Sequence, residues 1–241
     1  MIKKINWFDV FLGFVIALMA SLFLFANNRN HARAIDQIDV KLLSSNNHFI
    51  TQKMVENIMV QSLPKTQGNS DNTQSLKTIE DALNENEMIA HSEVFVDVDG
   101  KLHAEVTQKT AIARVMNGDE SYYIDAEGNK MPLSEQFSAH VPIVSGRINP
   151  KNKTAFAGLL NKIFNDPFLK TTITGIQINP DQSLVLAVRD YNYVIEFGTL
   201  KEIDRKLDNY KAFVHYSKND TIIDDYKKIN LRFTEQVVCT K

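Results

Sequence analysis

The sequence predicts an α+β protein: a single N-terminal transmembrane helix, a small β-α-α-β-β domain, and a β-rich domain with an extended, mostly antiparallel sheet and two packed helices. Three observations carry this. Val10–Ala26 (VFLGFVIALMASLFLFA) is an uninterrupted apolar run. Residues 35–108 alternate between strand and helix periodicity in the order strand, helix, helix, strand, strand. Beyond 109, short strand-like segments separated by turn residues dominate, with two amphipathic helices among them.

The seventeen apolar residues give about 26 Å of helix, near the ~30 Å hydrocarbon core of a bilayer. Trp7 and Phe8 extend the run, and Trp7 suits the aromatic belt at a membrane boundary. A cleaved signal peptide is the second reading, but its candidate site Ala32-Arg33-Ala34 lies well past the run, which also exceeds the usual signal core. A buried core helix is the third, and it would not need apolar residues all round. The anchor reading divides the chain into 1–9 before the span, 10–26 as the span, 27–34 as a juxtamembrane linker, and domains over 35–108 and 109–241.

Within 35–108, Ile35–Leu43 reads as a strand with an irregular start. Thr51 offers an N-cap to a helix whose stripe is Met54, Val55, Ile58 and Met59. The polar stretch Gln61–Gln74 contains Pro64 and Gly68 and reads as a loop. A second helix follows, with Leu76, Ile79 and Leu83 on one face. The next two strands form a hairpin. A three-residue loop, Asp99–Lys101, pairs Val98 with Leu102, Val96 with Ala104 and Val94 with Val106, which puts all six apolar residues on one face.

The β-rich part starts with strands Ala111–Met116, Tyr122–Ile124 and Lys130–Met131, around turns at Asn117-Gly118 and Glu127-Gly128-Asn129. In Val141–Val144, Pro142 indicates an edge or a strand start. Asn149-Pro150 opens a helix with Phe156, Leu159, Leu160, Ile163 and Phe164 on one face, and Pro167 marks its end. Strands Ile173–Asn179, Ser183–Arg189 and Tyr193–Phe197 follow, the first two joined by a Pro180-Asp181 turn. Thr199–Glu202 has the form of a capping box before a helix with Leu200, Ile203, Leu207, Tyr210 and Val214. Two strands, Ile229–Phe233 and Val237–Thr240, finish the chain.

The 27 Lys and Arg residues against 29 Asp and Glu leave no electrostatic footprint for nucleic acid. The one cysteine, Cys239, cannot form an internal disulfide or a zinc-type cluster, and it reads as a small apolar residue in the last strand. No nucleophile elbow, P-loop, dinucleotide fingerprint or HExxH sequence occurs. The six histidines are scattered singly, and Asp125 with Glu127 fits turn chemistry better than a catalytic pair. The expectation is a non-enzyme with no cofactor and no metal.

Ser92–Val94 through Leu102–Val106, Ala111–Ala113, Tyr123-Ile124-Asp125-Ala126-Glu127-Gly128, Val141-Pro142-Ile143-Val144-Ser145-Gly146 and Ile229-Asn230-Leu231-Arg232-Phe233 follow one another in a characteristic order. In that order they resemble the FtsQ/DivIB family of bacterial cell-division proteins. Asn230 stands where the family has Asp, Phe233 where it has Tyr, and Gln236 in place of a turn Gly. The resemblance implies a cytoplasmic N-terminus, a POTRA domain over 35–108 and an FtsQ-type β domain over 109–241, both outside the cytoplasmic membrane at the septum. It implies a divisome scaffold that binds FtsB/DivIC and FtsL by strand addition at the C-terminal sheet edge. Phe233, Glu235, Val237 and Val238 are the expected contacts, with core packing as the other reading of Phe233. FtsK, FtsW and the septal synthase are expected partners of the POTRA domain and the span. Two other classes stay open on the residues alone: a membrane-anchored envelope enzyme or peptidoglycan-binding module, and a POTRA-type secretion or assembly factor.

Overall fold

A computed structural model describes residues 7–31, 37–43, 48–63, 72–97, 100–118, 120–217 and 221–241. Residues 32–36, most of the polar 61–74 stretch and the Val98-Asp99 hairpin tip lie outside the described residues. Helix α1 (Trp7–His31) carries the apolar run and continues past it at both ends. Its side chains at 9, 10 and 26–31 are also outside the described set. Among the described residues, no helix is long and apolar enough to cross a membrane.

The chain divides into two compact units, one of Met1–Leu43, Gln52–Glu85 and His91–Val106, the other of Ser44–Thr51, Asn86–Ala90 and Thr107–Lys241. The first contains β1 (Ile38–Leu42), α2 (Gln52–Ser62), α3 (Asn72–Asn84), most of β2 (Ile89–Val96), and β3 (Leu102–Gln108) up to Val106. The sheet order is β1-β3-β2, with β1 parallel to β3 and Val40 opposite Ala104. Val55 and Met59 of α2 and Ile79 and Leu83 of α3 bury themselves as their helical spacing predicts, and Leu102, Ala104 and Val106 of β3 are buried as well. Met54, expected in that stripe, is exposed. The Gln52 side chain donates to the Val40 carbonyl at 3.0 Å, and the Ser92 N–H donates to Asn84 Oδ1 at 2.9 Å, so each helix ties to a strand.

The hairpin register is two residues away from the predicted one. The Asp97 N–H donates to the Lys101 carbonyl at 3.0 Å, and the Phe95 ring stacks on His103 at 5.2 Å. Val96 therefore sits beside Leu102. A two-residue shift preserves which face each side chain occupies, so Val94 and Val96 stay on the face of Leu102, Ala104 and Val106, while Val98 lies outside the described residues. Asp97 also accepts from the Lys101 N–H through its side chain, a local bond that starts the three-residue loop one position earlier than expected.

The second unit holds β4 (Ala111–Asn117), β5 (Glu120–Asp125), β6 (Lys130–Met131), β7 (Ile143–Ser145), α4 (Lys153–Asn165), α5 (Pro167–Thr172), β8 (Ile173–Ile178), β9 (Leu184–Val188), β10 (Val194–Gly198), α6 (Ile203–Ser217), β11 (Lys228–Asn230) and β12 (Val238–Thr240). They make one nine-stranded sheet in the order β12-β11-β10-β9-β8-β7-β4-β5-β6. Most neighbours are antiparallel; β4 with β7, β7 with β8, and β10 with β11 are parallel. Phe156, Leu159, Leu160 and Ile163 of α4 and Leu207, Tyr210 and Val214 of α6 pack in one core with Ile176, Leu186, Ile195 and Ile229. Each such side chain contributes about 1.5–3 kcal/mol on burial.

Two local expectations are sharpened and a third is overturned. β7 is an interior strand, so Pro142 marks its start and not an edge; the Pro142 carbonyl accepts from Arg114 N–H at 2.9 Å. Pro167 opens a further helix: Asp166 caps it by accepting from Phe168 N and Leu169 N, and proline is favoured at the first helical position. The capping box does not form. Glu202 has a φ of 51° and immediately precedes α6, while the Thr199 carbonyl accepts from the buried Lys206 ammonium at 2.7 Å.

Candidate functional site

The nine-stranded sheet ends differently on its two sides. At one end β6 has two residues, one of them fully buried Met131. At the other, β12 pairs only with β11 in antiparallel register, Lys228 with Thr240, Ile229 with Cys239 and Asn230 with Val238. Its far side faces no strand among the described residues. An edge strand of this kind leaves main-chain N–H and C=O groups available to another chain.

The four predicted contact residues cluster around this edge, though only Val238 lies in a strand. The strand expected over Ile229–Phe233 stops at Asn230, because the Asn230 side chain accepts the Arg232 N–H at 2.9 Å and turns the chain. Phe233 therefore sits in the connection between β11 and β12, 53% exposed, which removes the core-packing reading. Glu235 is exposed but engaged, with Arg205 Nη2 at 2.7 Å. Val237 is half-buried against the core, and Val238 is 38% exposed.

The connection is held from behind by α6. Asn209 Nδ2 donates to the Thr234 carbonyl at 2.9 Å, one turn beyond Arg205. Glu196 of β10 faces Lys228 at 3.2 Å and Arg232 at 3.7 Å. Gly198 has a φ of 73°, and a Cβ there would lie 2.9 Å from Arg232 Cγ, so the glycine leaves room for the Arg232 stem. Between α6 and the connection a groove of about 320 Å³ is lined by Phe213, Tyr216 and Val237 among others. Sequence reasoning does not find Arg205 or Asn209, since each meets a partner at least 25 residues away.

The edge itself carries no reactive group. Cys239 is half-buried and burial raises its thiol pKa, the opposite of an activated thiolate. Elsewhere, the buried Asp125 carboxylate accepts from Glu127 N–H at 3.0 Å and Asn129 N–H at 2.8 Å, with Lys109 at 3.5 Å, which is a turn-holding role. His103 lies between Asp39 and Asp97, and His91 meets Glu93. Among the described residues, no group of three or more His, Cys, Asp or Glu is placed to hold a metal ion.

Two family models match successive parts of the chain. Residues 36–107 match the model of a POTRA-like domain, and residues 110–240 match the model described as FtsQ/DivIB, C-terminal related. No curated protein matches the chain. A solved structure of the major extracytoplasmic domain of DivIB (trans isomer), a bacterial cell division protein of Geobacillus stearothermophilus, is 16% identical; the match covers 47% of this chain and 97% of that one, with a TM-score of 0.34. With its C-terminal domain model spanning more than half of its length, the chain belongs to the FtsQ/DivIB family.

Proposed function

We propose that this protein is a non-enzymatic scaffold of the bacterial divisome, whose C-terminal edge strand recruits a partner by strand addition. The observation that carries this reading is the open side of β12, flanked by the exposed Phe233 ring and Val238. Strand addition draws affinity from main-chain hydrogen bonds and specificity from flanking side chains. The partner fitting the family is the FtsB/DivIC protein with FtsL, and the recruited activity is septal peptidoglycan synthesis. Phe233, Val237 and Val238 contact the partner; Glu235 acts through Arg205, fixing the connection.

The apolar run of α1 is the anchor. Its described large side chains, such as Phe14, Phe23 and Leu24, are exposed, an arrangement suited to lipid and costly in water. The 25 residues of the helix extend about 37 Å. The N-terminus then lies in the cytoplasm, with the POTRA domain (35–108) and β domain (109–241) outside it, and the POTRA domain and span are left to FtsK, FtsW and the septal synthase. Depletion tests the role: filamentous cells with unconstricted septa are expected, and normal division would reject it.

A further inference from the structure

A strand added beyond β12 presents two rows of side chains, one of which faces α6. Cys239 lies opposite fully buried Ile229 and, like Val237, packs against the core to which α6 belongs. Val238 lies opposite Asn230 and turns to the other face of the sheet, where it is exposed. Successive side chains of a strand alternate between faces, and residues directly opposite in neighbouring strands share one. Every second residue of the added strand is therefore directed to the side of Val237, Cys239 and α6.

That side holds the groove of about 320 Å³ between α6 and the β11–β12 connection. Val237 lines the groove and directly precedes β12, so a side chain leaving the added strand has the groove beside it. Ala212, Phe213 and Tyr216 supply the other apolar walls, and Ser217 and Gln236 add polar atoms. Phe213 is half-buried, with its ring 6.3 Å from Tyr193 and 6.2 Å from Tyr226. Asn209 donates to the Thr234 carbonyl and Glu235 meets Arg205, so the remaining walls are tied down as well. Walls fixed beforehand lower the ordering cost of binding.

Size and lining together select the occupant. One turn of α-helix, about 10 Å across and 5.4 Å high, fills about 420 Å³, more than the groove holds. Its volume is also at the low end for small-molecule clefts. A single large side chain projecting from the neighbouring strand fits. Half of the lining is apolar and half polar, which suits an aromatic ring with a hydrogen-bonding edge, the kind of residue that anchors interfaces. We propose that the groove receives one Tyr or Trp side chain from the strand that adds to β12, at a position facing α6. The inference rests on strand addition at this edge and says what gives that addition its specificity.

The test titrates the full chain, in detergent, with the soluble FtsB/DivIC-type protein. Ala212 is exposed, so Ala212→Trp fills the groove with the urea midpoint unchanged, and it weakens binding about tenfold or more. Tyr216 is 84% exposed, so Tyr216→Ala removes a wall without touching the core and weakens binding about threefold; it decides the matter if Ala212→Trp lowers the midpoint. Replacing the partner's anchoring aromatic by Ala weakens binding to the parent and makes it indifferent to Ala212→Trp, the coupling expected of groups in contact. A loss on Ala212→Trp coupled to no aromatic of the partner would overturn the proposal. So would full affinity in both groove variants while Val238→Lys binds about tenfold more weakly, and strand addition would then stand without the groove. Full affinity in Val238→Lys as well would remove strand addition itself.

Discussion

Asn209 of α6 and Thr234 of the β11–β12 connection are joined by a 2.9 Å side-chain-to-carbonyl hydrogen bond, so the helix covering the sheet also sets the path of the chain into its edge strand. Arg205, one turn earlier, adds the ion pair to Glu235. Asn209→Ala removes the donor and leaves the Thr234 carbonyl to solvent, a loss of about 1 kcal/mol. Urea unfolding should show that small loss, and amide exchange of Val238–Thr240 should quicken while the β8–β9 amides stay slow. Uniform quickening across the sheet would refute a local role.

Glycine substitutions should separate sharply. Gly146→Ala drives a Cβ to within 2.2 Å of the Ile178 carbonyl at a positive φ, and the expected cost exceeds about 3 kcal/mol, with poor soluble yield. Gly158, inside α4, has nothing within 4 Å of an added Cβ. Gly158→Ala should raise stability by up to about 1 kcal/mol through helix propensity. Thermal melts of the two variants beside the parent check both signs.

The buried hydroxyls of Tyr193 and Tyr210 lie 3.2 Å apart, and burial pushes Tyr210 up to about 12 and Tyr193 higher still. Both phenols stay neutral in the folded protein, while the unfolded chain ionises near 10. Above that pH the unfolded state binds fewer protons, so stability present below 10 is lost as pH rises toward and beyond 12. Cys239, raised by burial, acts in the same direction from its ordinary 9.0. Denaturant midpoints should be level between pH 7 and 8.5 as far as these groups are concerned, then fall above 10. Tyr193→Phe should lessen the fall; an unchanged slope would show that the pair is not its source.

Much of the fold is legible in the sequence because periodicity reports burial directly: Val55 and Met59, Ile79 and Leu83, and Phe156, Leu159, Leu160 and Ile163 of α4 all bury as spaced. The errors occur where a single side chain outbids a pattern. Asn230 ends a strand by capturing the Arg232 N–H, Asp97 moves the hairpin loop back by one residue, and the Lys206 ammonium takes carbonyls at Phe197 and Thr199 in place of a capping box. The candidate site was legible in its position, since the last strand is the sheet edge, and not in its support. Arg205 and Asn209 look like any polar face of a helix until α6 is laid against Thr234 and Glu235.

Phe233 and Val238 are exposed enough that Phe233→Ala and Val238→Lys should change stability by no more than about 0.5 kcal/mol. Partner affinity should respond much more. Titration with the soluble FtsB/DivIC-type coiled coil should show a loss of about tenfold or more for each variant. Equal affinity in both would move the contact elsewhere.

Strand addition at β12 is tested most directly by amide hydrogen exchange of Val238, Cys239 and Thr240 in the full chain, with and without that coiled coil bound. The account predicts that these amides slow by about tenfold or more on binding, as main-chain groups on the open side of the edge gain partners. Tight binding with their exchange unchanged would contradict it.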